Sequence, residues 1–324
     1  THWLLAWLSL ELNTISILPI MMSRHHPRMT EATTKYFIVQ ATAAASILFA
    51  STINAWQTGQ WSITNTTPTM ATALITVAIM MKLGLAPVHL WYPEVMQGVP
   101  MYTAMLISTW QKLAPLALLY MTHSALSPTL ILTFSLLSTL LGGWTGLNQT
   151  QTRKIMAFSS IAHMGWLTAA LTTNQSLATL TMITYIITTV TMFTLMTTTT
   201  TKTTHDAGTA WTMSPALSTT MMLTLMSLGG LPPLTGFMSK WLIVKDLSTT
   251  NLLLVSLAML LASLPSLFFY TRLAYLTMLT TPPTTTNMKL SWRFTNQTMP
   301  YTTATMTAAC LLTPLTAALY NSTW

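Results

Sequence analysis

The sequence predicts an all-α polytopic membrane protein of about ten transmembrane helices, arranged as two inverted repeats of about five helices with a broken helix in each. Three observations predict it. Of 324 residues, 51% are hydrophobic and only 6% are charged, against about 25% charged in a soluble domain. Ten apolar stretches approach the roughly 20 residues needed to cross a hydrocarbon core about 30 Å thick. Lys and Arg fall almost entirely in alternate connections, as positive-side loops do.

In chain order the stretches run over 2–22, 34–57, 70–96, 99–121, 127–147, 155–172, 176–200, 214–245, 251–275 and 300–320. Breakers separate them at 24–28, 66–68, 98–100, 127–128, 148–152, 174–176, 205–208, 248–251 and 282–287, mostly Pro, Gly, Asn and Ser. Long apolar runs without ten-residue alternation exclude a β-barrel. The 64 Thr residues are compatible with spans, because a Thr hydroxyl can bond back to a carbonyl one turn earlier. The chain opens inside an apolar run, Trp3-Leu-Leu-Ala-Trp-Leu, without a Met, and is expected to lack part of its N-terminus. The whole of 1–324 reads as one transmembrane domain: an N-terminally incomplete first repeat over 1–121, a second over 127–275, and a loop with a C-terminal helix over 276–324.

Nine of the thirteen Lys and Arg residues (Arg24, Arg28, Lys35, Arg153, Lys154, Lys202, Arg272, Lys289 and Arg293) lie in or beside odd-numbered connections, and only Lys245 lies near the other side. This bias supports ten spans with both visible ends on the uncharged side. Trp3, Trp56, Trp61, Trp91 and Trp324 near span ends fit interfacial anchoring.

Glu11, Lys82, Lys112 and Lys240 fall inside spans. An ionised side chain at the bilayer centre costs at least about 2.5–3.5 kcal/mol, so such residues pair or face hydrated space. One Glu and three Lys cannot all pair. A buried lysine whose proton affinity responds to a nearby carboxylate can release and rebind a proton, the outline of a relay. The competing reading is a static Glu11–Lys82 pair with Lys112 snorkelling to the surface. Each lysine neighbours a helix breaker: Gly84-Leu-Ala-Pro87, Ala114-Pro115, or Gly229-Gly-Leu-Pro-Pro-Leu-Thr-Gly236. Broken helices free backbone groups, which membranes tolerate only beside protein or water. Gly84-Leu-Ala-Pro87 and Gly230-Leu-Pro-Pro233 match at three of four positions, five spans apart. Five is odd, so the copies run in opposite directions, as inverted repeats do. His163 and His89 also lie within the apolar stretches and can carry protons or serve as hydrogen-bonded core residues. His25, His26 and His205 are expected in solvated loops.

Other classes are excluded. A single cysteine, Cys310, removes a disulfide framework, a Cys-ligated zinc and an iron–sulfur cluster. No G-x-G-x-x-G supports bound NAD, no histidine pair has metal-ligand spacing with a supporting carboxylate, and scattered basic residues argue against nucleic acid.

Leu10-Glu-Leu-Asn13, Met81-Lys-Leu-Gly-Leu-Ala-Pro-Val-His-Leu-Trp-Tyr-Pro-Glu94, Thr109-Trp-Gln-Lys-Leu-Ala-Pro115, Ser159-Ser-Ile-Ala-His-Met-Gly165 and Gly229-Gly-Leu-Pro-Pro-Leu-Thr-Gly-Phe-Met-Ser-Lys-Trp241 together closely resemble the NADH dehydrogenase subunit 2 family, antiporter-like membrane subunits of mitochondrial respiratory complex I. The resemblance runs from about residue 2 to 275 and is looser beyond. It implies descent from cation/proton antiporters, a multi-pass place in the mitochondrial inner membrane with basic loops facing the matrix, and partners among other membrane-arm subunits, including a second antiporter-like subunit. It implies a proton-translocating core subunit of NADH:ubiquinone oxidoreductase with no cofactor or metal in this chain. FMN, iron–sulfur clusters and ubiquinone would serve the assembled complex elsewhere. Residue by residue, the family's glutamate maps to Glu11, its broken-helix lysines to Lys82 and Lys240, its central relay lysine to Lys112 and its axial histidine to His163. A pulse from the quinone site is expected to shift the Glu11–Lys82 pair, pass a proton through water and Lys112, and gate it at Lys240. The rival readings are a stand-alone monovalent cation/proton antiporter and a purely structural membrane subunit.

Overall fold

The computed structural model describes residues 2–23, 25–64, 66–212, 214–279 and 301–322. The breaker at 282–287 and the residues Arg24, Lys289, Arg293 and Trp324 lie outside them.

The described chain is built from helices: α1 (Trp3–Met21), α2 (Pro27–Thr58), α3 (Thr69–Leu83), α4 (Trp91–Gly98), α5 (Met101–Ser108), α6 (Trp110–Thr122), α7 (Pro128–Gly146), α8 (Thr152–Thr173), α9 (Gln175–Thr198), α10 (Thr204–Thr209), α11 (Pro215–Gly229), α12 (Thr235–Thr249), α13 (Leu253–Leu279), α14 (Tyr301–Leu311) and α15 (Thr316–Ser322). Every one of the ten apolar stretches carries helix. Six are single helices long and apolar enough to cross a bilayer. The others are interrupted: 70–96 is α3 and α4, 99–121 is α5 and α6, 214–245 is α11 and α12, and 300–320 is α14 and α15, with a 66° bend between their apolar segments.

Local chemistry explains the departures from the expected bounds. α2 begins at Pro27 rather than 34, because His26 caps it by accepting from the Arg28 N–H and proline is pre-set for a first turn. The expected breaker at 205–208 is helix α10. It is closed by a capping box in which Thr203 accepts from the Asp206 N–H and Asp206 accepts from the Thr203 N–H.

The threonines behave as membrane helices require. Along α9, Thr188 and Thr189 donate to the carbonyls of Thr184 and Tyr185 at 2.8 and 2.7 Å, so their hydroxyls are satisfied within their own helix.

Two compact units are present. Unit 1 holds residues 1–142 and 160–175; unit 2 holds 143–159 and 176–324. In unit 1, α2 packs on α1, α3 and α4. Gly98 of α4 lies against the Arg28 carbonyl and Ala32, where an added Cβ would stand 2.8 and 2.6 Å from them. Lys35 of α2 bonds Glu31 at 2.6 Å and Glu94 of α4 at 2.8 Å. Gly165 of α8 meets Ser135, Ser138 and Thr139 of α7 at a distance only a glycine permits.

In unit 2, α11 packs on α13. Arg272 of α13 donates to the carbonyls of Leu147 and Gln149 at 2.5 and 2.7 Å, capping the end of α7. Ser227 and Thr235 both donate to the Ala309 carbonyl of α14.

The tryptophan expectation is corrected in part. Trp56 is 90% exposed, as an anchor should be, but Trp3 and Trp91 are buried. Each tucks into helix contacts of unit 1, so nearness to a span end does not by itself say which way an indole faces.

Candidate functional site

The two broken helices end in the same way. At the first break, Gly84 takes φ +73° and its N–H bonds the Met81 carbonyl, while the Leu85 N–H reaches Met80. At the second, Gly230 takes φ +80°, its N–H bonds Ser227, and the Leu231 N–H reaches Met226. This is a helix C-terminus closed by a left-handed residue. Glycine is required there because a Cβ resists positive φ. Each break also contains a cis X–Pro peptide, Ala86–Pro87 and Pro232–Pro233.

In unit 1 the first break lies beside a narrow cavity. Its water-sized free space is about 10 Å³, close to what one water occupies. Lys82 from α3 and Lys112 from α6 both line it, with Asn13 of α1, Tyr36 and Gln40 of α2, Trp91 and Tyr92 of α4, and Gln111 of α6. Lys82 is 5% and Lys112 2% exposed, so Lys112 does not snorkel. The Lys112 ammonium stands 4.9 Å from the centre of the Tyr92 ring, within cation–π range. Lys82 Nζ makes a long 3.5 Å contact with the Gln40 carbonyl, and Gln40 Nε2 returns one at 3.4 Å to the Lys82 carbonyl.

Gln111 ties three helices together. Its Oε1 accepts from Asn13 Nδ2 at 2.8 Å and from the Tyr36 hydroxyl at 3.4 Å, and its Nε2 donates to the Asn13 carbonyl at 3.4 Å.

Glu11 does not form the expected ion pair. Among the described residues the ion pairs are those of Lys35 with Glu31 and Glu94. Leu10, Asn13 and Thr14 lie at helical spacing on the cavity face of α1, while Glu11 sits one residue to the side of that face. Its carboxylate therefore turns along its own helix and accepts from the Thr14 hydroxyl at 3.1 Å. It remains within electrostatic reach of Lys82 and Tyr36.

His89 occupies the break between α3 and α4 and is 5% exposed. Its Nδ1 lies 3.2 Å from the Pro87 carbonyl. A carbonyl only accepts, so that contact places the proton on Nδ1 and leaves Nε2 an acceptor. Nε2 is buried and has no hydrogen-bond partner among the described residues. His163 lies half-buried on α8 and is not among the residues lining the cavity.

Lys240, in unit 2, reaches back from α12 to the second break and donates to the Gly229 carbonyl at 2.9 Å. That carbonyl belongs to the last turn of α11, where no intrahelical donor serves it.

Lys82 and Lys112 thus share the cavity, His89 lies in the first break, Glu11 stands to the side of the cavity face on α1, and Lys240 bonds the second break. The neutral members Asn13, Tyr36, Gln40, Tyr92 and Gln111 carry no charge to single them out. The signal that finds them is an amide or phenol inside an apolar run. Among the described residues no group of three or more His, Cys, Asp or Glu could hold a metal ion.

The family described as NADH:quinone oxidoreductase/Mrp antiporter, TM, matches residues 1–266, and that described as NADH dehydrogenase subunit 2 C-terminus matches 267–320. The chain is similar to NADH-ubiquinone oxidoreductase chain 2 of Carassius auratus, 50% identical over 100% of this chain and 93% of the relative. The protein of the same name from Xenopus laevis is 50% identical over 90% of this chain and 85% of the relative. A chain of respiratory complex I from Thermus thermophilus, solved with bound aureothin, superposes with a TM-score of 0.83 at 25% identity, covering 99% of this chain and 73% of that one. A chain of the Mrp complex from Dietzia sp. shares the fold, with a TM-score of 0.75 at 15% identity over 85% of this chain and 56% of that one.

Proposed function

The chain belongs to the NADH:quinone oxidoreductase/Mrp antiporter membrane family, in its NADH dehydrogenase subunit 2 branch, and from that premise we propose that its buried lysines relay protons. The protein is a proton-translocating membrane subunit of NADH:ubiquinone oxidoreductase, respiratory complex I. It contributes to that enzyme as a membrane subunit with an antiporter-like fold.

The observation that carries the relay is the cavity shared by Lys82 and Lys112. Two amines facing one narrow polar space repel when both are charged, so loading one favours unloading the other. Tyr92 and Gln111 offer neutral groups along the way. Glu11 lies close enough to bias Lys82 without trapping it in a contact pair. A shift of the Glu11 carboxylate toward Lys82 favours a charged Lys82, and its return favours release. His89 Nε2, an acceptor at the break, can take up a proton from the side bearing Arg28 and Lys35 and, as the imidazolium, pass it on through water to a neutral Lys82. Lys240 plays the corresponding gating part at the second break, and His163 supplies a further carrier on α8.

The matching glycine-closed breaks support inverted repeats over 1–121 and 127–275. The basic side is the matrix face of the mitochondrial inner membrane, and the partners are membrane-arm subunits, a second antiporter-like one among them. No cofactor is assigned to this chain. The stand-alone antiporter has behind it the antiporter side of the family and a shared fold at 15% identity, against a relative 50% identical that is NADH-ubiquinone oxidoreductase chain 2.

Two experiments test this. On a native gel of mildly solubilised membranes, this chain should co-migrate with NADH-driven dye reduction; migration apart from it overturns membership of the complex. Glu11→Gln should slow pumping-coupled turnover in the assembled complex. Unchanged rate and unchanged protons per electron would remove Glu11 from the relay.

A further inference from the structure

Three buried polar side chains at one end of unit 1 have no hydrogen-bond partner among the described residues. Asn54 of α2 is fully buried, yet both Oδ1 and Nδ2 are unpartnered. Thr66, in the connection from α2 to α3, has a buried hydroxyl with no partner. Trp3, at the start of α1, has an unpartnered buried Nε1.

Their common location follows from the chain. The Trp3 backbone N–H bonds the Trp61 carbonyl at 3.0 Å, joining the start of α1 to the α2–α3 connection that also contains Thr66. His2 stacks on Trp61 at 5.8 Å, reinforcing that junction. Asn54 is one turn from the end of α2 at Thr58, where the same connection begins. α2 and α3 pack together, with Gln40 opposite Lys82. Moving from Gln40 to Asn54 climbs about 21 Å along α2, to the end opposite Arg28 and Lys35.

An amide buried in a membrane without partners costs on the order of several kcal/mol. The donor and acceptor inventory says what meets that need. Asn54 Nδ2 and Trp3 Nε1 only donate, Asn54 Oδ1 only accepts, and the Thr66 hydroxyl does either. A metal cation has no use for the N–H donors, and an anion has none for the amide oxygen. Water, which donates two bonds and accepts two, matches the mixture.

We propose that Asn54, Thr66 and Trp3 form a water-binding site at the end of unit 1 opposite its basic residues, and that this site exchanges protons between the relay and that side of the membrane. The three groups are neutral near pH 7, so the site passes a proton without holding it. The water assignment stands on the inventory alone, whereas its part in proton exchange rests on the relay proposed above.

The test uses the intact complex. A high-resolution cryo-EM map should show a water within hydrogen-bonding distance of the Asn54 amide; an apolar, water-free contact there overturns the site. Asn54→Leu should slow NADH:quinone turnover coupled to pumping by about threefold or more, with NADH:ferricyanide turnover unchanged. Asn54→Ser, which replaces the amide by a hydroxyl that both donates and accepts and leaves room for a second water, should restore most of the rate. Full-rate pumping by an assembled Asn54→Leu complex overturns the proton-exchange role. If that variant fails to assemble, Asn54→Ser decides, since a loss of threefold or more there overturns the role equally. Lys82→Met separates the two ideas. Unchanged pumping in that variant defeats the relay while leaving the water intact, and a dry Asn54 beside an inactive Lys82→Met defeats only the water site.

Discussion

Three glycines with nearly equal positive φ separate backbone cost from function. Gly59, Gly84 and Gly230 have φ +72°, +73° and +80°. Replacing any of them by Ala forces an L residue into the left-handed region, at about 1–2 kcal/mol. Their surroundings differ. A Cβ at Gly59 meets nothing within 4 Å, and one at Gly84 meets Trp91 and Tyr92 at an ordinary 3.4 Å. A Cβ at Gly230 stands 3.1 Å from both Cδ and Nζ of Lys240. Restoring normal contact moves the ammonium by roughly 0.3 Å. That stretches its 2.9 Å bond to the Gly229 carbonyl to the edge of the hydrogen-bonding range. A bond to a charged group contributes about 1.5–3 kcal/mol, and losing a third to a half of it amounts to about 0.5–1.5 kcal/mol. Gly230→Ala should therefore pump about two- to thirteenfold more slowly than Gly84→Ala. The assay is NADH-driven proton uptake by vesicles holding the complex, normalised to NADH:ferricyanide turnover and to assembled complex on a native gel. Equal pumping by the Gly84→Ala and Gly230→Ala complexes would refute the claim that Lys240 geometry gates transfer. A loss as large in Gly59→Ala would show that backbone strain alone accounts for the effect.

Other perturbations give distinct signatures. Lys112→Met removes a buried amine while roughly keeping its volume, so assembly should persist and coupled turnover should fall about tenfold or more; full pumping would exclude Lys112 from the relay. Arg272→Lys cannot hold the carbonyls of both Leu147 and Gln149, and hydrogen–deuterium exchange over 147–152 should quicken by about tenfold, whereas Glu94→Gln, at an exposed pair, should change stability by less than about 1 kcal/mol. The Thr203 backbone N–H, helped by that of Lys202, holds the Asp206 carboxyl below its ordinary pKa. Its folded pKa is thus lower than its unfolded one, so its contribution is full above the unfolded value near 4 and lost as pH falls through the folded one. Asp206→Ala should speed amide exchange over 204–209 at pH 7 and make little difference near pH 2; an equal effect at both would rule out the ionised cap.

Span existence, the glycine-proline breaks at 84–87 and 230–233, and the burial of Lys82 and Lys112 were legible in the sequence. Each depends on local quantities: apolar run length, Gly and Pro backbone limits, and the cost of a charge in hydrocarbon. The direction of the Glu11 carboxylate was not legible, because one residue of helical rotation takes it off the face shared by Leu10, Asn13 and Thr14. Nor was the gathering of Asn13, Tyr36, Gln40 and Gln111 around the lysines, since a neutral amide in a span carries a weak cost signal and its partner lies up to 98 residues away. Trp3 and Trp91 have the composition of interfacial anchors, yet packing turned them inward. Composition and periodicity therefore determined that this chain crosses a membrane with broken helices and buried lysines. Only the helix-to-helix contacts decided which of those lysines share a cavity, because facing directions across a bundle are set by partners distant in sequence.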